Sequence, residues 1–346
     1  MSGVDNVTLD AEAEGQRLDR WFRKTYPQVT QGRIEKMCRK GEIRVDGGRV
    51  KPNTRLEAGQ VLRVPPLPSA PAPSVNRVEI SEADARMMRD AVMWKDDHLI
   101  VLNKPAGLAV QGGSGQVRHV DGLSEAIRFD ADAPPRLVHR LDRDTSGVLV
   151  MARTGRAAAA LAKAFQSRRT RKIYWAVVPG MPSPRVGTIR YGLVKAPGHG
   201  PHGAGEKMIA VHPDAVDATE GAKRAVSDYM VIESAAKRAT WVALSPITGR
   251  THQLRAHMAE IGHPIVGDGK YGTNSQTNEG DGWGAQLGGD VSRKLHLHAR
   301  SLQIAHPEDG RVLDFTAPLP GHMARTWEIF GWEAKGQPLD PFAELE

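Results

Sequence analysis

The 346-residue chain has a single cysteine, Cys38, which excludes an internal disulfide framework and a cysteine-based zinc site. That suits a reducing compartment. No run approaches the roughly 18 unbroken apolar residues of a membrane-spanning helix. The first residues, MSGVDNVTLDAEAEG, are polar and acidic rather than basic and then apolar, unlike a secretory leader. A cytoplasmic protein is therefore expected, with no membrane partner. Aromatic residues are scarce at 5%, beside 40% apolar and 25% charged residues, which fits a soluble globular chain. Its length allows a full-sized core and more than one domain.

The charge is unevenly placed. Residues 14–64 carry 13 Lys/Arg against 6 Asp/Glu, an excess equal to the net charge of +7 of the whole chain. Such a segment suits phosphate neutralisation, although charge alone also fits a solvated basic face. Apolar Leu18, Trp21 and Phe22 mark one side of a short helix, and Ile34, Met37 and Cys38 mark a second that ends at Gly41. The polar positions of the second helix, Arg33, Lys36, Arg39 and Lys40, form a positive stripe. Ile43-Arg44-Val45 then runs as a strand into an Asp46-Gly47 turn, and residues 61–64 close the unit with another strand.

Prolines at 65, 66, 68, 71 and 73 interrupt all periodicity, so residues 65–87 are expected to be a linker. A large domain is expected over 88–330, with a tail at 331–346. Strands are expected at 99–102, 148–151, 173–178, 225–233 and 239–245, with helices at about 155–167 and 251–261. This mixture points to an α+β fold, in which a small N-terminal α+β unit precedes a mixed, largely antiparallel sheet flanked by helices. Residues 198–205, rich in glycine and histidine, read only as a loop.

The densest group of reactive side chains is His139-Arg140-Leu141-Asp142-Arg143-Asp144-Thr145-Ser146-Gly147, placed just before a strand. A catalytic carboxylate must be ionised and held beside a cation. By itself this stretch reads sooner as a surface salt-bridge loop capped by Thr145 and Ser146. A second group, Thr248-Gly249-Arg250-Thr251-His252-Gln253-Leu254-Arg255-Ala256-His257, opens like a helix, on which 251, 252 and 255 would converge. Arg140 and Arg143 could pair with Asp142 locally, and Arg255 is the long-range candidate, since arginine serves a buried carboxylate better than lysine. A metal would need ligands beyond His252 and His257, so none is expected. Lys104, in Asn103-Lys104-Pro105-Ala106-Gly107, could meet phosphate, and the glycines up to Gly115 allow close backbone approach. Neither this stretch nor Gly267-Asp268-Gly269-Lys270 has the spacing of a phosphate-binding P-loop, so ATP is not implied.

Residues 14–64 resemble the S4 RNA-binding domain, in Gly15-Gln16-Arg17-Leu18-Asp19, the basic second helix, Gly41-Glu42-Ile43-Arg44-Val45 and Leu56-Glu57-Ala58-Gly59. The resemblance implies RNA docking through Arg33, Lys36, Arg39, Lys40 and Arg44 with little base readout. His139-Arg140-Leu141-Asp142, followed by Thr145-Ser146-Gly147, resembles the signature of the RluA-type pseudouridine synthases. The likeness continues in Leu102–Gly107, Arg171–Tyr174, Thr248–Arg255, Gly262–Asp268 and Leu297-His298-Ala299, in family order over about residues 88–320.

The resemblance implies an RNA isomerase that needs no cofactor. Asp142 would be its catalytic carboxylate, Arg255 the paired arginine and Tyr174 the ring against the uracil face, with a role in proton transfer at C5 open. His139 and Arg140 would shape the pocket or contact phosphate. Breaking the N1–C1′ bond builds positive character on C1′, which a carboxylate can trap. Whether Asp142 attacks C1′ or removes the 2′ proton stays open. The expected substrate is large-subunit ribosomal RNA, and the expected state is a monomer. The alternatives are the same chemistry on other ribosomal or transfer RNA, a non-catalytic S4-type ribosomal RNA-binding protein, and a hydrolase, which would need a second carboxylate.

Overall fold

A computed structural model describes all residues except 1–3, 11–12, 68–79, 113–117, 168, 197–206, 237, 273–286, 288–289 and 344–346. The prolines at 68, 71 and 73, Gly113, Gly115, Arg168 and the loop at 198–205 lie outside the described residues. The chain forms two compact units, residues 1–79 and 80–346. Among the described residues no helix is long and apolar enough to cross a membrane.

The first unit runs β1 (Asp5–Thr8), α1 (Leu18–Thr25), α2 (Gln31–Lys40), β2 (Arg44–Val45), β3 (Gly48–Arg49) and β4 (Val61–Val64). Its sheet has the order β1-β4-β2-β3. The two helices bury the apolar sides read from their spacing, Leu18, Trp21 and Phe22 on α1 and Ile34, Met37 and Cys38 on α2. α2 stops at Gly41, whose φ of 70° is a left-handed cap that glycine adopts without strain. The unit starts earlier than residue 14, because β1 adds an edge strand that pairs with β4 from Asp5 to Thr8.

The second unit also starts earlier than the sequence suggests. Ser81 caps α3 (Glu82–Asp90) by accepting from the Asp84 N–H, and α3 buries Ala85 and Met88. Then come β5 (Val92–Lys95), β6 (Leu99–Lys104), α4 (Val120–Leu123), β7 (Arg136–Leu137), β8 (Ser146–Ala152) and α5 (Gly155–Ala164). β9 (Arg171–Pro179), β10 (Val186–Lys195), β11 (Met208–Val211), β12 (Lys223–Ala235) and β13 (Ala239–Pro246) follow, and then α6 (Gln253–Glu260). β14 (Leu297–Ala305), β15 (Val312–Thr316) and α7 (Gly321–Phe330) complete it. The sheet order is β11-β10-β12-β13-β9-β14-β8-β6-β5, with β15 beside β14 and β7 beside β8. Pairing is antiparallel except where β8 meets β14.

The central strands are covered on both faces, which is why β8 reads as the unbroken apolar run Val148-Leu149-Val150-Met151. On β9 the two-residue period separates Ile173, Trp175 and Val177, which pack under α7, from Ala176 and Val178, which pack under α6 with Leu254 and Met258. Tyr174 belongs to the α6 side. Residues 331–346 were expected to be a tail, but Trp332 and Phe342 are buried with Trp175, Trp241 and Trp327. A chain with few aromatics has gathered four of its seven tryptophans here, and their burial outweighs the ordering of the last segment. β14 was not anticipated as a strand because His298, Arg300 and Ser301 break its apolar pattern. Each has a tertiary partner: Ser146 for His298, the Ala317 carbonyl for Arg300 and the Leu339 carbonyl for Ser301.

Among the described residues three histidines are fully enclosed: His257, His296 and His298. Burial pushes their pKa down to about 4, about 4 and about 3 respectively. All three lie below the unfolded value of about 6.5, so below that pH the unfolded chain gains protons that the folded chain refuses. Stability is therefore expected to fall by on the order of 4 kcal/mol per pH unit near pH 5, where all three contribute. Urea unfolding at a series of pH values checks this, and His298→Gln should reduce the slope by about one proton.

Candidate active site

The loop between β7 and β8 carries Asp142 to the α6 face of the sheet. Its return into β8 depends on Gly147, whose φ is 111°; a Cβ there would lie 2.2 Å from the Ala299 carbonyl oxygen on β14. Only glycine allows the two backbones to meet so closely. Ser146 then shares a 2.9 Å hydrogen bond with His298 Nδ1, which ties β8 to β14 directly behind the loop.

Lys104 holds the same loop from the other side. It is fully buried, and its Nζ donates to the carbonyls of Pro105, Leu108 and Arg143 at 2.9, 2.8 and 3.0 Å. All three N–H groups are used, so the phosphate contact expected of Lys104 is corrected to a clamp between the 105–108 turn and the Asp142 loop. Burial pushes its pKa down to about 7, against the pull of Asp144 and Asp142. Of the two roles expected of His139, shaping the pocket or contacting phosphate, the structure fits the first. Its ring stacks on Phe165 with centroids 4.1 Å apart, and its Nε2 accepts the Val150 N–H at 2.9 Å. Burial, and then the charge of Lys172, push its pKa down to about 3, so it is a neutral wall and not a phosphate contact. Arg140 is exposed and lines the cavity beside Asp142.

Arg255 does reach Asp142, but as its second partner. Its Nε and Nη2 bind Asp268 Oδ2 and Oδ1 at 2.7 and 2.8 Å, and its Nη1 donates to Asp142 Oδ2 at 3.3 Å. Burial opposes the charge on Arg255, but the hydrogen bonds and charge of Asp268, followed by those of Asp142, raise its pKa further. The Asp268 side chain is fully buried and also accepts the Lys270 and Tyr271 N–H groups on Oδ1. Gly267 makes this possible: its φ is 78° and a Cβ would lie 2.1 Å from the Lys294 carbonyl oxygen. Asp268 received no role from the sequence. The available signal was the fork of Arg255, since one carboxylate cannot match all of its edges.

His252 differs from expectation as well. α6 begins at Gln253, and His252 stands before it in the left-handed region, with φ 53° and ψ 21°. Its ring nevertheless enters the site, with Nε2 3.9 Å from Asp142 Oδ2 and Nδ1 2.9 Å from the Tyr271 hydroxyl. Tyr271 was not anticipated either. Tyr174 stands on β9 between Leu244 of β13 and Ala299 of β14. Burial and the nearby charge of Asp142 raise its phenol pKa well above the ordinary value.

Asp142, Tyr174, His252 and Arg255 all line one cavity of about 710 Å³, whose rim includes Lys172 and Arg250. Asp142 is the one acidic residue among its described lining residues. Oδ1 of Asp142 accepts no hydrogen bond among the described residues, so one oxygen is held by Arg255 and the other is unengaged. Among the described residues no group of three or more His, Cys, Asp or Glu is placed to hold a metal ion. In the first unit, Arg33, Lys36, Arg39 and Lys40 are exposed on α2. Arg44 instead donates to the carbonyls of Gly41 and Gly47, both at 3.2 Å, and so braces its turn.

Breaking a buried ion pair from one side leaves an uncompensated charge. Asp268→Asn is therefore expected to lower stability by about 3 kcal/mol, read as a shift of the denaturant midpoint. Asp144→Asn, at an exposed position, should change it by less than about 0.5 kcal/mol.

The profile of the family described as RNA pseudouridylate synthase matches residues 98–260, and that of the S4 domain matches residues 16–62. The chain is 34% identical over 330 residues to ribosomal large subunit pseudouridine synthase C of Vibrio cholerae, covering 92% of this chain and 95% of that one. It is 36% identical over 329 residues to the protein of the same name from Escherichia coli, covering 93% and 95%. Among solved structures, human RNA pseudouridylate synthase domain containing 4 superposes with a TM-score of 0.55 at 28% identity, over 72% of this chain and 96% of that one. With the fold, the motif order and near-complete coverage in agreement, the chain belongs to the RluA-type RNA pseudouridine synthases.

Proposed function

We propose that this chain isomerises uridines of large-subunit ribosomal RNA and that Asp142 is the carboxylate acting at the sugar. The observation carrying this reading is the polarity of Asp142: Oδ2 bound by Arg255 and Oδ1 unengaged, at a cavity that holds no other described acid. In the reaction the N1–C1′ bond breaks, the base turns, C5 bonds to C1′, and the proton lost from C5 is balanced by the hydrogen that N1 gains. The base never leaves, so no second carboxylate is required to activate water, which favours isomerisation over hydrolysis. Arg255 keeps Oδ2 occupied and the carboxylate aimed, and Tyr174 offers a flat wall for uracil. Both attack at C1′ and removal of the 2′ proton use the open Oδ1.

The uridine must leave its stack to reach this cavity, at a cost of a few kcal/mol. The basic rim and the exposed cations of α2 supply phosphate contacts that offset that cost. The substrate class is carried by the relatives, named for the large ribosomal subunit, together with the S4 match. Chemical mapping of uridines in ribosomal RNA from cells with and without this protein tests it, and an unchanged pattern in the large subunit would overturn the assignment.

Asp142→Asn is expected to lower kcat by more than about a thousandfold while RNA binding persists. Asp144→Asn, two residues along, should keep near-normal turnover. Single-turnover assays with binding measured separately distinguish the two. Replacing Arg33, Lys36, Arg39 and Lys40 together by Gln should weaken RNA binding and flatten the salt slope by up to about three ions, with little change in the rate of the bound complex. A salt slope equal to that of the parent would remove α2 from the docking surface.

A further inference from the structure

His252 is held with more care than a core histidine needs. A left-handed backbone in a non-glycine residue costs on the order of 1 kcal/mol, and residues ahead of a helix are ordinarily extended. His252 keeps φ 53° and ψ 21° nonetheless. Its ring meets Tyr271 edge to face, with centroids 5.6 Å apart, and only 9% of its side chain is exposed. The residue lines the cavity.

The hydrogen bonds around the ring favour the proton on Nε2. The Tyr271 hydroxyl oxygen accepts the Met208 N–H at 2.8 Å, and burial pushes its pKa up to about 12, so it stays protonated. Its own O–H is then directed to His252 Nδ1 at 2.9 Å. Burial lowers the His252 pKa, so the ring is neutral and has one N–H, on Nε2. That N–H stands 3.9 Å from Asp142 Oδ2, too far for a direct bond. A donor and an acceptor at this separation fit one hydroxyl between them, about 2.8 Å from each. Among the groups next to C1′ of a uridine, O4′ and the base O2 only accept. The 2′-hydroxyl both accepts and donates.

We propose that His252 binds the substrate sugar: its Nε2–H donates to the 2′-hydroxyl of the target uridine, which in turn donates to Asp142 Oδ2. Tyr271 is the positioning residue that fixes the ring and its proton. The bridge places C1′ and C2′ against the open Oδ1 and makes the site selective for ribose. This rests on the reading of Asp142 as the carboxylate at the sugar.

The test is a cycle between protein and substrate. An RNA oligonucleotide around a uridine that the enzyme modifies is made with uridine or 2′-deoxyuridine at that position, and kcat/KM is measured for each. The parent enzyme should lose about tenfold or more on the deoxy substrate, the value of one well-placed hydrogen bond. His252→Phe should be slower on uridine and show a deoxy penalty several-fold smaller than the parent's, because one of the hydroxyl's two partners is already gone and only Asp142 Oδ2 is left. His252→Gln, which can present an N–H near the same point, should keep part of the deoxy penalty, and Tyr271→Phe should reduce it. A deoxy penalty unchanged from the parent in His252→Phe overturns the proposal. If His252→Phe does not fold, an unchanged penalty in both His252→Gln and Tyr271→Phe does the same. Asp142→Asn is assayed alongside on uridine: sustained turnover there overturns the Asp142 reading itself, a separate outcome.

Discussion

The guanidinium of Arg255, set between Asp268 and Asp142, is the interaction on which the site depends. A cation with 4% exposure is costly to desolvate unless its donors are matched, and Asp268 matches two of them with near-ideal geometry. The third donor is left for Asp142 at a longer 3.3 Å. This inequality has a chemical use. Asp268 neutralises the arginine and fixes its plane, so Asp142 is oriented without being fully occupied. A lysine could not divide its donors in this way.

The backbone around Asp142 is held by the same logic of complete polar partners. Lys104 spends its three N–H groups on carbonyls, two of them in the 105–108 turn and one in the Asp142 loop. His139 takes the Val150 N–H, and His298 takes Ser146, so both ends of the loop are tied to β8 or to its neighbour β14. Two glycines, Gly147 and Gly267, let main chains approach where any side chain would collide with a carbonyl. The loop therefore presents a carboxylate from a rigid setting, which is what electrostatic preorganisation requires. The floor below is the double-sided sheet, with the tryptophan cluster on the face away from Tyr174.

The two units divide the work by charge. The first holds 14 Lys/Arg against 10 Asp/Glu, with Arg33, Lys36, Arg39 and Lys40 exposed on a helix whose other face is its own core, and the second holds 33 against 30, with basic residues lining its cavity. The first arrangement suits contacts with phosphates wherever they lie. The second suits one displaced nucleotide.

The sequence by itself determined a good deal. Apolar spacing placed both helices of the first unit, and β6, β8, β9, β12 and β13 of the second, because a strand or helix face is a local property of neighbouring residues. Asp142, Arg255 and Tyr174 were legible as a set only through the motif likeness, since composition alone made the Asp142 loop an ordinary salt-bridge loop. The tertiary structure decided the rest. Asp268 as the first partner of Arg255, the turn of His252 out of its helix, Lys104 as a clamp and His139 as a wall all depend on which groups meet once the sheet has formed. Lys104 and Arg143 are 39 residues apart, and Arg255 and Asp142 are 113 apart. A buried polar side chain takes its role from the donors and acceptors around it, and those are supplied by strand order and close backbone approach, not by its neighbours in sequence.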